Sequence, residues 1–169
     1  MLMKFLPTLV FAAAAPSASS ARADEAQFLK SLDGNWSGTG MVKVLIYSPA
    51  INVTCKIKSK ATPSALTLNG KCTGLVVFSR VIGADLKVHG AKYTGSYVGS
   101  QSGTAALSGS RSGNAINLAI RWATEVNGDR AAKMTLEKVG NNGMRLTTVD
   151  NDPATGKSVV VSRIDLHRS

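Results

Sequence analysis

The two cysteines of the chain, Cys55 and Cys72, are the side chains whose positions indicate chemistry most directly. Each lies in a segment where apolar and polar residues alternate, and each takes one of the apolar positions, which we term the apolar parity of the segment. On neighbouring strands both thiols would therefore point to the same face of the sheet. In an exported protein, two cysteines with matching orientation most simply form a disulfide. A redox pair usually needs the closely spaced Cys-x-x-Cys arrangement, which this sequence lacks. The pattern therefore predicts a structural Cys55–Cys72 disulfide, worth about 3 kcal/mol in the chain-entropy account.

Four lysines near these cysteines form a second group of charged side chains. They take the outward parity of the two segments that carry the cysteines: Lys56, Lys58, Lys60 and Lys71. If the disulfide aligns the strands, Lys56 and Lys71 become near neighbours, and like charges directly opposite each other destabilise a sheet. One interpretation is a basic patch that binds an anionic partner, such as a lipid headgroup or an acidic glycan. The other is that the lysines protect a sheet edge from unwanted strand pairing.

The sequence indicates a protein without catalytic residues. The segment Gly95–Gly99 has its serine in the wrong position for a nucleophile turn, and no helix follows it. The cysteines and the two histidines lack the spacing of a zinc site. Asp150-Asn151-Asp152 resembles the start of a calcium loop, but Pro153 and the missing downstream glutamate favour a turn. Nucleic-acid binding needs basic residues interleaved with stacking aromatics, whereas the aromatics here mostly take apolar parities. We therefore expect no enzyme, no metal site and no nucleic-acid partner.

Residues 1–23 are typical of a secretory signal peptide. A short apolar stretch precedes Ala21-Arg22-Ala23, which places small residues at both positions that signal peptidase recognises. We expect cleavage before Asp24, which removes one lysine and one arginine and lowers the formal charge from +10 to +8. No apolar run reaches the roughly 18–20 residues of a membrane-spanning helix, so an integral α-helical membrane protein is excluded. The predicted location is the periplasm, with residues 24–169 forming one domain.

Apolar and polar residues alternate along most of the remaining chain. The alternation is clearest over residues 51–58, 66–73 and 116–123. A period of two with one wet face is typical of antiparallel strands that cover a core. Residues 24–32 instead have apolar side chains at helical spacing. The sequence therefore predicts an all-β fold, an antiparallel up-and-down barrel of about eight to ten strands preceded by one short N-terminal helix.

Glycines mark the predicted boundaries between strands. Asn69-Gly70 and Gly83 are predicted turns, so that residues 75–82 and 85–89 become separate strand candidates. The glycine-rich stretch Gly90–Gly113 precedes no helical segment, which gives a phosphate-binding loop no support. Its tyrosines and aliphatic residues favour strands, in which glycines permit the bends that barrel closure requires.

The segment Gly34-Asn35-Trp36-Ser37-Gly38-Thr39-Gly40 opens the first predicted strand. It resembles the signature of the calycin group, which includes lipocalins and fatty-acid-binding proteins, and also the first strand of nitrobindin-type barrels. In lipocalins the signature tryptophan closes one end of a lipocalin-like barrel beneath an arginine near the last strand. The resemblance implies these roles for Trp36 and for Arg168, which shares its parity with Val160 and Ile164.

Nitrobindin-type barrels bind haem through a histidine near the C-terminus. This chain has His89 and His167, and both take outward parities, which predicts solvated side chains. We therefore expect neither haem nor another cofactor.

The sequence leaves different functions open. In the first, the protein is a non-enzymatic binding protein of the cell envelope that holds a small apolar or amphipathic molecule inside the barrel. Its expected interior walls are Trp36, Val42, Val44, Ile57, Leu118, Ile120 and Trp122. In the second, it is a protein-interaction module, such as an inhibitor of an envelope protease or lysozyme, whose loops carry the function. In the third, the basic patch contacts anionic lipid or glycan.

Overall fold

In the part of the chain that the structure describes, ten strands form one closed antiparallel sheet and one helix precedes the first strand. The computed structural model describes residues 18–75 and 78–169. Neighbours in sequence are neighbours in the sheet, and the last strand pairs with the first. This confirms the predicted up-and-down barrel. The elements are α1 (Ala18–Ser31), β1 (Gly34–Val42), β2 (Ile51–Thr62), β3 (Ala65–Gly74), β4 (Phe78–His89), β5 (Lys92–Val98), β6 (Ala105–Ser112), β7 (Ala115–Val126), β8 (Asp129–Val139), β9 (Gly143–Asn151) and β10 (Ser158–Arg168).

The alternating sequence places one side of each strand in a shared core. Along β2, every second residue from Val53 to Ser59 is buried and the residues between them are exposed. The strand β7 repeats this pattern from Ile116 to Trp122. Because a strand turns successive side chains to opposite faces, the apolar parity fills the inside of the barrel and the polar parity meets water.

The helix α1 lies across one end of the barrel. Leu29 and Leu32 are fully buried there, and Phe28 packs against the same core. The helix begins before the predicted start at Asp24. The predicted signal peptide lies mostly outside the described residues, which include only 18–23 of it. Within the described part of the chain, no helix has both the length and the apolar character needed to cross a membrane.

A cluster of charged and aromatic side chains fastens α1 to the barrel. Arg111 on β6 forms ion pairs with Asp24 and Glu25, and its guanidinium lies 4.7 Å from the ring centroid of Phe28. The Tyr93 hydroxyl donates a hydrogen bond to Glu25. These contacts hold the helix over the end of the barrel that it covers, which we term the closed end.

Two predicted turns are wrong, because their glycines lie inside strands. Gly70 is within β3, where an added Cβ would lie 2.5 Å from the carbonyl oxygen of Lys56 on β2. Glycine is required there by the close approach of two backbones, not by a turn. Gly83 lies within β4, so residues 78–82 and 85–89 belong to one continuous strand from Phe78 to His89. Residues 76–77 of the first candidate lie outside the described residues.

Two predicted inward positions are also wrong. Val44 lies beyond the end of β1 in the loop of residues 43–50 and is 44% exposed, so it is no part of the barrel wall. Val160 is 43% exposed because the pairing of β9 with β10 is irregular between Val160 and Ser162, which shifts the side-chain parity by one residue. The parity that Arg168 shares with Ile164 is unaffected.

Candidate functional site

The barrel encloses a cavity of ≈ 100 Å³, which we term the inner chamber. Aliphatic side chains from strands around the whole barrel form most of its wall, among them Ile57, Leu68, Leu86, Leu118, Met134 and Leu136. One water molecule requires roughly 10–15 Å³ of such space, so the chamber is larger than a packing defect. Water finds few partners on an apolar wall, whereas hydrocarbon does not need them. The inner chamber therefore suits the apolar part of a small molecule.

A second cavity of ≈ 320 Å³ lies at the end of the barrel opposite α1, and we term it the mouth. Residues 43–45 of the β1–β2 loop and residues 99–102 of the β5–β6 loop line it. Its volume is within the range of small-molecule sites in proteins, roughly 300–1,000 Å³. The mouth and the inner chamber together form a path from solvent into the barrel.

Four polar side chains line both cavities and form what we term the collar: Arg80, Tyr97, Thr148 and Ser162. They bring one guanidinium and three hydroxyl groups to the boundary between an apolar chamber and a wetter mouth. Gly99 makes room for this arrangement, since a Cβ at that position would lie 2.2 Å from the Tyr97 hydroxyl oxygen. The collar can therefore bind a polar group at the point where the apolar chamber begins.

The collar was not predicted from the sequence. Arg80 has the inward parity of Ile82 and Leu86 on β4, and this parity was the signal that could have identified it. The predicted strand boundary at Gly83 interrupted that pattern. An arginine on an inward position of a barrel strand brings a positive charge to the cavity, and a guanidinium group is well suited to bind an anionic group of a ligand.

Trp122 lies beside the collar and lines the mouth. Its ring centroid is 6.2 Å from that of Tyr97, and it is 5% exposed. Its indole Nε1 is buried and has no hydrogen-bond partner among the residues that the structure describes. The indole N–H is a donor only, and a buried donor without an acceptor costs free energy. The site is thus suited to a ligand that supplies a hydrogen-bond acceptor.

Two carboxylates also line the mouth, Asp150 and Glu125. Asp150 is buried, and its oxygens accept hydrogen bonds from the Asn127 side chain (2.6 Å) and from the backbone N–H of Asn151 (2.8 Å). Neither carboxylate lines the inner chamber, whereas Arg80 does. The collar is therefore the positive side of the site, and the acidic groups lie further out.

Burial raises the pKa of Tyr97 to about 12, although the Arg80 guanidinium acts in the opposite direction. An unfolded tyrosine titrates near pH 10, so the folded protein holds this proton more tightly. Its contribution to stability is complete below pH 10 and is lost as the pH rises from 10 to 12. Between pH 10 and pH 12 we expect the free energy of unfolding to fall by about 3 kcal/mol more in the wild-type protein than in Tyr97→Phe.

Urea unfolding at a series of pH values from neutral to alkaline measures this difference. Tyr93, whose pKa is also raised by burial and by its hydrogen bond to Glu25, is present in both proteins and cancels in the comparison. Parallel stability curves for wild type and Tyr97→Phe above pH 10 would show that the Tyr97 hydroxyl is not held in its neutral form.

The residues predicted as interior walls fall into different places. Val42, Ile57 and Leu118 line the inner chamber, and Val42, Val44 and Trp122 line the mouth. Ile120 is buried in the core but lines neither cavity.

Trp36 and Arg168 lie at the closed end, away from both cavities. The Arg168 guanidinium carbon is 4.4 Å from the Trp36 ring centroid. Arg168 also donates hydrogen bonds to the carbonyl oxygens of Ser31 (2.9 Å) and Asp33 (2.5 Å), next to the end of α1. This pair therefore joins the first strand, the last strand and the helix; it does not contact a ligand in either cavity.

The predicted disulfide is present. Cys55 and Cys72 are bonded, buried, and directly opposite each other on β2 and β3. The same register places Lys56 opposite Lys71. All four lysines of the predicted patch are exposed, and we term the outer surface of β2 and β3 that they occupy the basic face: Lys56, Lys58, Lys60 and Lys71.

The two histidines are exposed on the outside of the barrel. His89 ends β4, and His167 on β10 has its Nε2 3.4 Å from the Ser37 hydroxyl oxygen. Asp152 accepts hydrogen bonds from the Ala154 N–H and the Thr155 hydroxyl, an arrangement typical of a turn. In the described ranges no three His, Cys, Asp or Glu side chains are grouped to hold a metal ion.

The fold and its cavities define a class of protein: a closed, ten-stranded antiparallel β-barrel with an apolar chamber that opens at one end. No protein-family model matches the chain, and a search of curated proteins finds no match either. A similar solved structure is that of Rv2717c from M. tuberculosis, with a TM-score of 0.65 and 15% sequence identity. The alignment covers 85% of this chain and 96% of that one. The likeness extends to the barrel fold.

Proposed function

We propose that this protein is a non-enzymatic binding protein of the cell envelope that holds a small amphipathic molecule in its barrel. The observation that carries the proposal is the adjacency of the apolar inner chamber and the polar collar. An apolar tail would occupy the chamber, and a polar head would meet Arg80 and Tyr97 at its edge. Such a division of one cavity between apolar walls and a few polar groups is typical of small-molecule sites.

The hydrogen-bond donors at this site indicate which polar head group the ligand carries. Arg80 donates hydrogen bonds and carries a positive charge, Tyr97 has a hydroxyl, and the Trp122 N–H is a buried donor without a partner. A ligand that supplies an acceptor would satisfy that donor. A carboxylate is the simplest head group that also complements the guanidinium.

Export is part of the proposal, and the packing of α1 supports it. Residues 21–23 are exposed, and among the side chains that the structure describes, those that fasten the helix by ion pairs and apolar contacts lie from Asp24 onwards. Cleavage before Asp24 would therefore leave the helix attached. The Cys55–Cys72 disulfide also favours an oxidising compartment.

Decanoate and decyltrimethylammonium test the proposal, since they have similar tails and opposite head charges. We expect decanoate to bind about tenfold or more tightly than the cation, because hydrogen bonds to a charged group contribute roughly 1.5–3 kcal/mol. Isothermal titration calorimetry measures both affinities. Substitution Trp122→Phe removes the unpartnered N–H, keeps an aromatic ring, and is expected to weaken decanoate binding by a similar factor.

The matched control is Trp36→Phe, the same chemical change at the closed end, which should leave decanoate affinity unchanged. Native mass spectrometry of the gently purified protein would show whether a ligand is retained. If neither amphiphile binds, or if decanoate binds and Trp122→Phe leaves its affinity unchanged, the proposed site is wrong. Activity in lysozyme or protease inhibition assays would then favour the interaction-module alternative.

A further inference from the structure

Exposed apolar side chains gather on one side of the open end of the barrel. Four of them belong to the β1–β2 loop, the turn that directly follows β3 and the first part of β4, and we term them the apolar rim: Val44, Leu45, Leu75 and Val81. Leu75 is 74% and Val81 is 67% exposed. The opposite side of the barrel, strands β6–β9, differs. Among its described residues one large apolar side chain is exposed, Val139, and it lies at the closed end. Exposed apolar patches of this kind often mark interaction sites.

The backbone at the rim supports a role beyond chance exposure. Leu75 has a φ of 52°, a left-handed conformation that residues other than glycine adopt rarely. This strained position holds an aliphatic side chain in water, where it contributes nothing to the core. Strain at an exposed apolar residue is more easily explained by a contact that the residue makes with a partner.

The basic face adjoins the apolar rim. Lys56 lies opposite Lys71, and Lys71 lies opposite Val81 in the register of β3 and β4. Residues 51–98, which form this side of the barrel, contain six lysines and one acidic residue, Asp85. Within the described ranges, none of the four lysines of the basic face forms an ion pair. Uncompensated positive charge therefore borders exposed aliphatic surface.

We propose that the apolar rim and the basic face together dock on a membrane surface that contains anionic phospholipid. Lysines are attracted to anionic headgroups, and aliphatic side chains gain by entering the boundary between headgroups and acyl chains. A soluble polyanion would contact the lysines but leave the rim in water. The mouth is at the same end as the rim, so docking would turn it towards the bilayer. The docking does not depend on the proposed cavity ligand.

Vesicle sedimentation tests the proposal with phosphatidylcholine vesicles that contain or lack phosphatidylglycerol. We expect binding to the anionic vesicles, weakened by salt but not abolished, and little binding to the neutral ones. Lys71→Glu changes the charge by two and should lower the partition coefficient roughly 25-fold, since each charge near the surface contributes about fivefold. Val81→Ser and Leu75→Ser should each lower it roughly tenfold through lost apolar contact.

Each variant has a matched control on the other side of the molecule. Lys133→Glu on β8 makes the same charge change, and Val139→Ser removes an exposed valine at the closed end; both are expected to bind as the wild type does. All the substituted residues are exposed, and melting temperatures check that the variants fold. The proposal would be overturned if Lys71→Glu and Lys133→Glu had equal effects, or if Val81→Ser and Leu75→Ser bound vesicles as the wild type does. If the protein bound heparin and the rim variants bound it equally well, the partner would be a soluble polyanion and not a membrane.

Discussion

Replacement of Trp36 by alanine is expected to destabilise the protein by about 3–5 kcal/mol, the range of buried tryptophan truncations. Trp36 is 1% exposed, and its indole N–H donates to the Leu32 carbonyl (3.2 Å) and to the Ser59 hydroxyl (2.8 Å). The substitution also removes the ring beneath the Arg168 guanidinium. Because these contacts join α1, β1, β2 and β10, their loss affects the closed end as a whole. Chemical denaturation followed by circular dichroism measures the change.

The same substitution at two tryptophans distinguishes the contribution of the indole hydrogen bonds to stability from that of the aromatic ring. Trp36→Phe and Trp122→Phe remove a similar volume, but the Trp36 N–H has two acceptors and the Trp122 N–H has none in the described part of the protein. We expect Trp36→Phe to cost about 1–2 kcal/mol more than Trp122→Phe, since only the Trp36 substitution removes hydrogen bonds that the folded protein makes. Equal costs would mean that these hydrogen bonds do not contribute to stability.

Removal of the Cys55–Cys72 disulfide is the second change that we expect to destabilise the protein strongly. The bond closes a loop between residues 17 positions apart, and its loss is expected to cost about 3 kcal/mol, chiefly by freeing the unfolded chain. Because both cysteines are buried and their strands are already paired, the folded barrel should persist in a Cys55→Ala/Cys72→Ala variant. Urea unfolding of the wild type and of the variant measures the difference.

Reduction provides the control for this prediction. Dithiothreitol should lower the stability of the wild type towards that of the double alanine variant and leave the variant unchanged. The buried sulfurs should be reduced slowly in the native state and quickly in urea, because the reductant must reach them. Alkylation of two thiols in the native, unreduced protein would contradict the disulfide.

Much of the fold could be predicted from the sequence because the side-chain parity of a strand is a local property. The predicted helix, the barrel and the disulfide follow from that parity and from helical spacing. The errors arose where a local signal had another cause. Gly70 and Gly83 resemble turn residues, yet Gly70 allows two strands to approach closely within the sheet. Val160 lost its expected parity through an irregular pairing that depends on the neighbouring strand.

The candidate site was less predictable than the fold. Val42, Ile57 and Leu118 were expected to line the interior, and they line the inner chamber. Trp36 shares their inward parity but lies at the closed end. Parity alone therefore did not distinguish residues that line the cavity from residues that close one end of the barrel. Arg80 was missed because the predicted boundary at Gly83 separated it from Leu86, whose inward parity it shares on β4.

The sequence by itself determined which side chains face inward on regular strands such as β2 and β7, that the two cysteines could meet, and that the chain forms one curled sheet after a short helix. Only the tertiary structure decided which inward side chains share a chamber, which end α1 covers, and that Arg80, Tyr97 and Trp122 meet at the other end. The physical reason is that alternation requires only the geometry of one strand. Proximity across a closed barrel instead depends on the register of all ten strands, including the irregular pairing at Val160, and no single segment encodes that register.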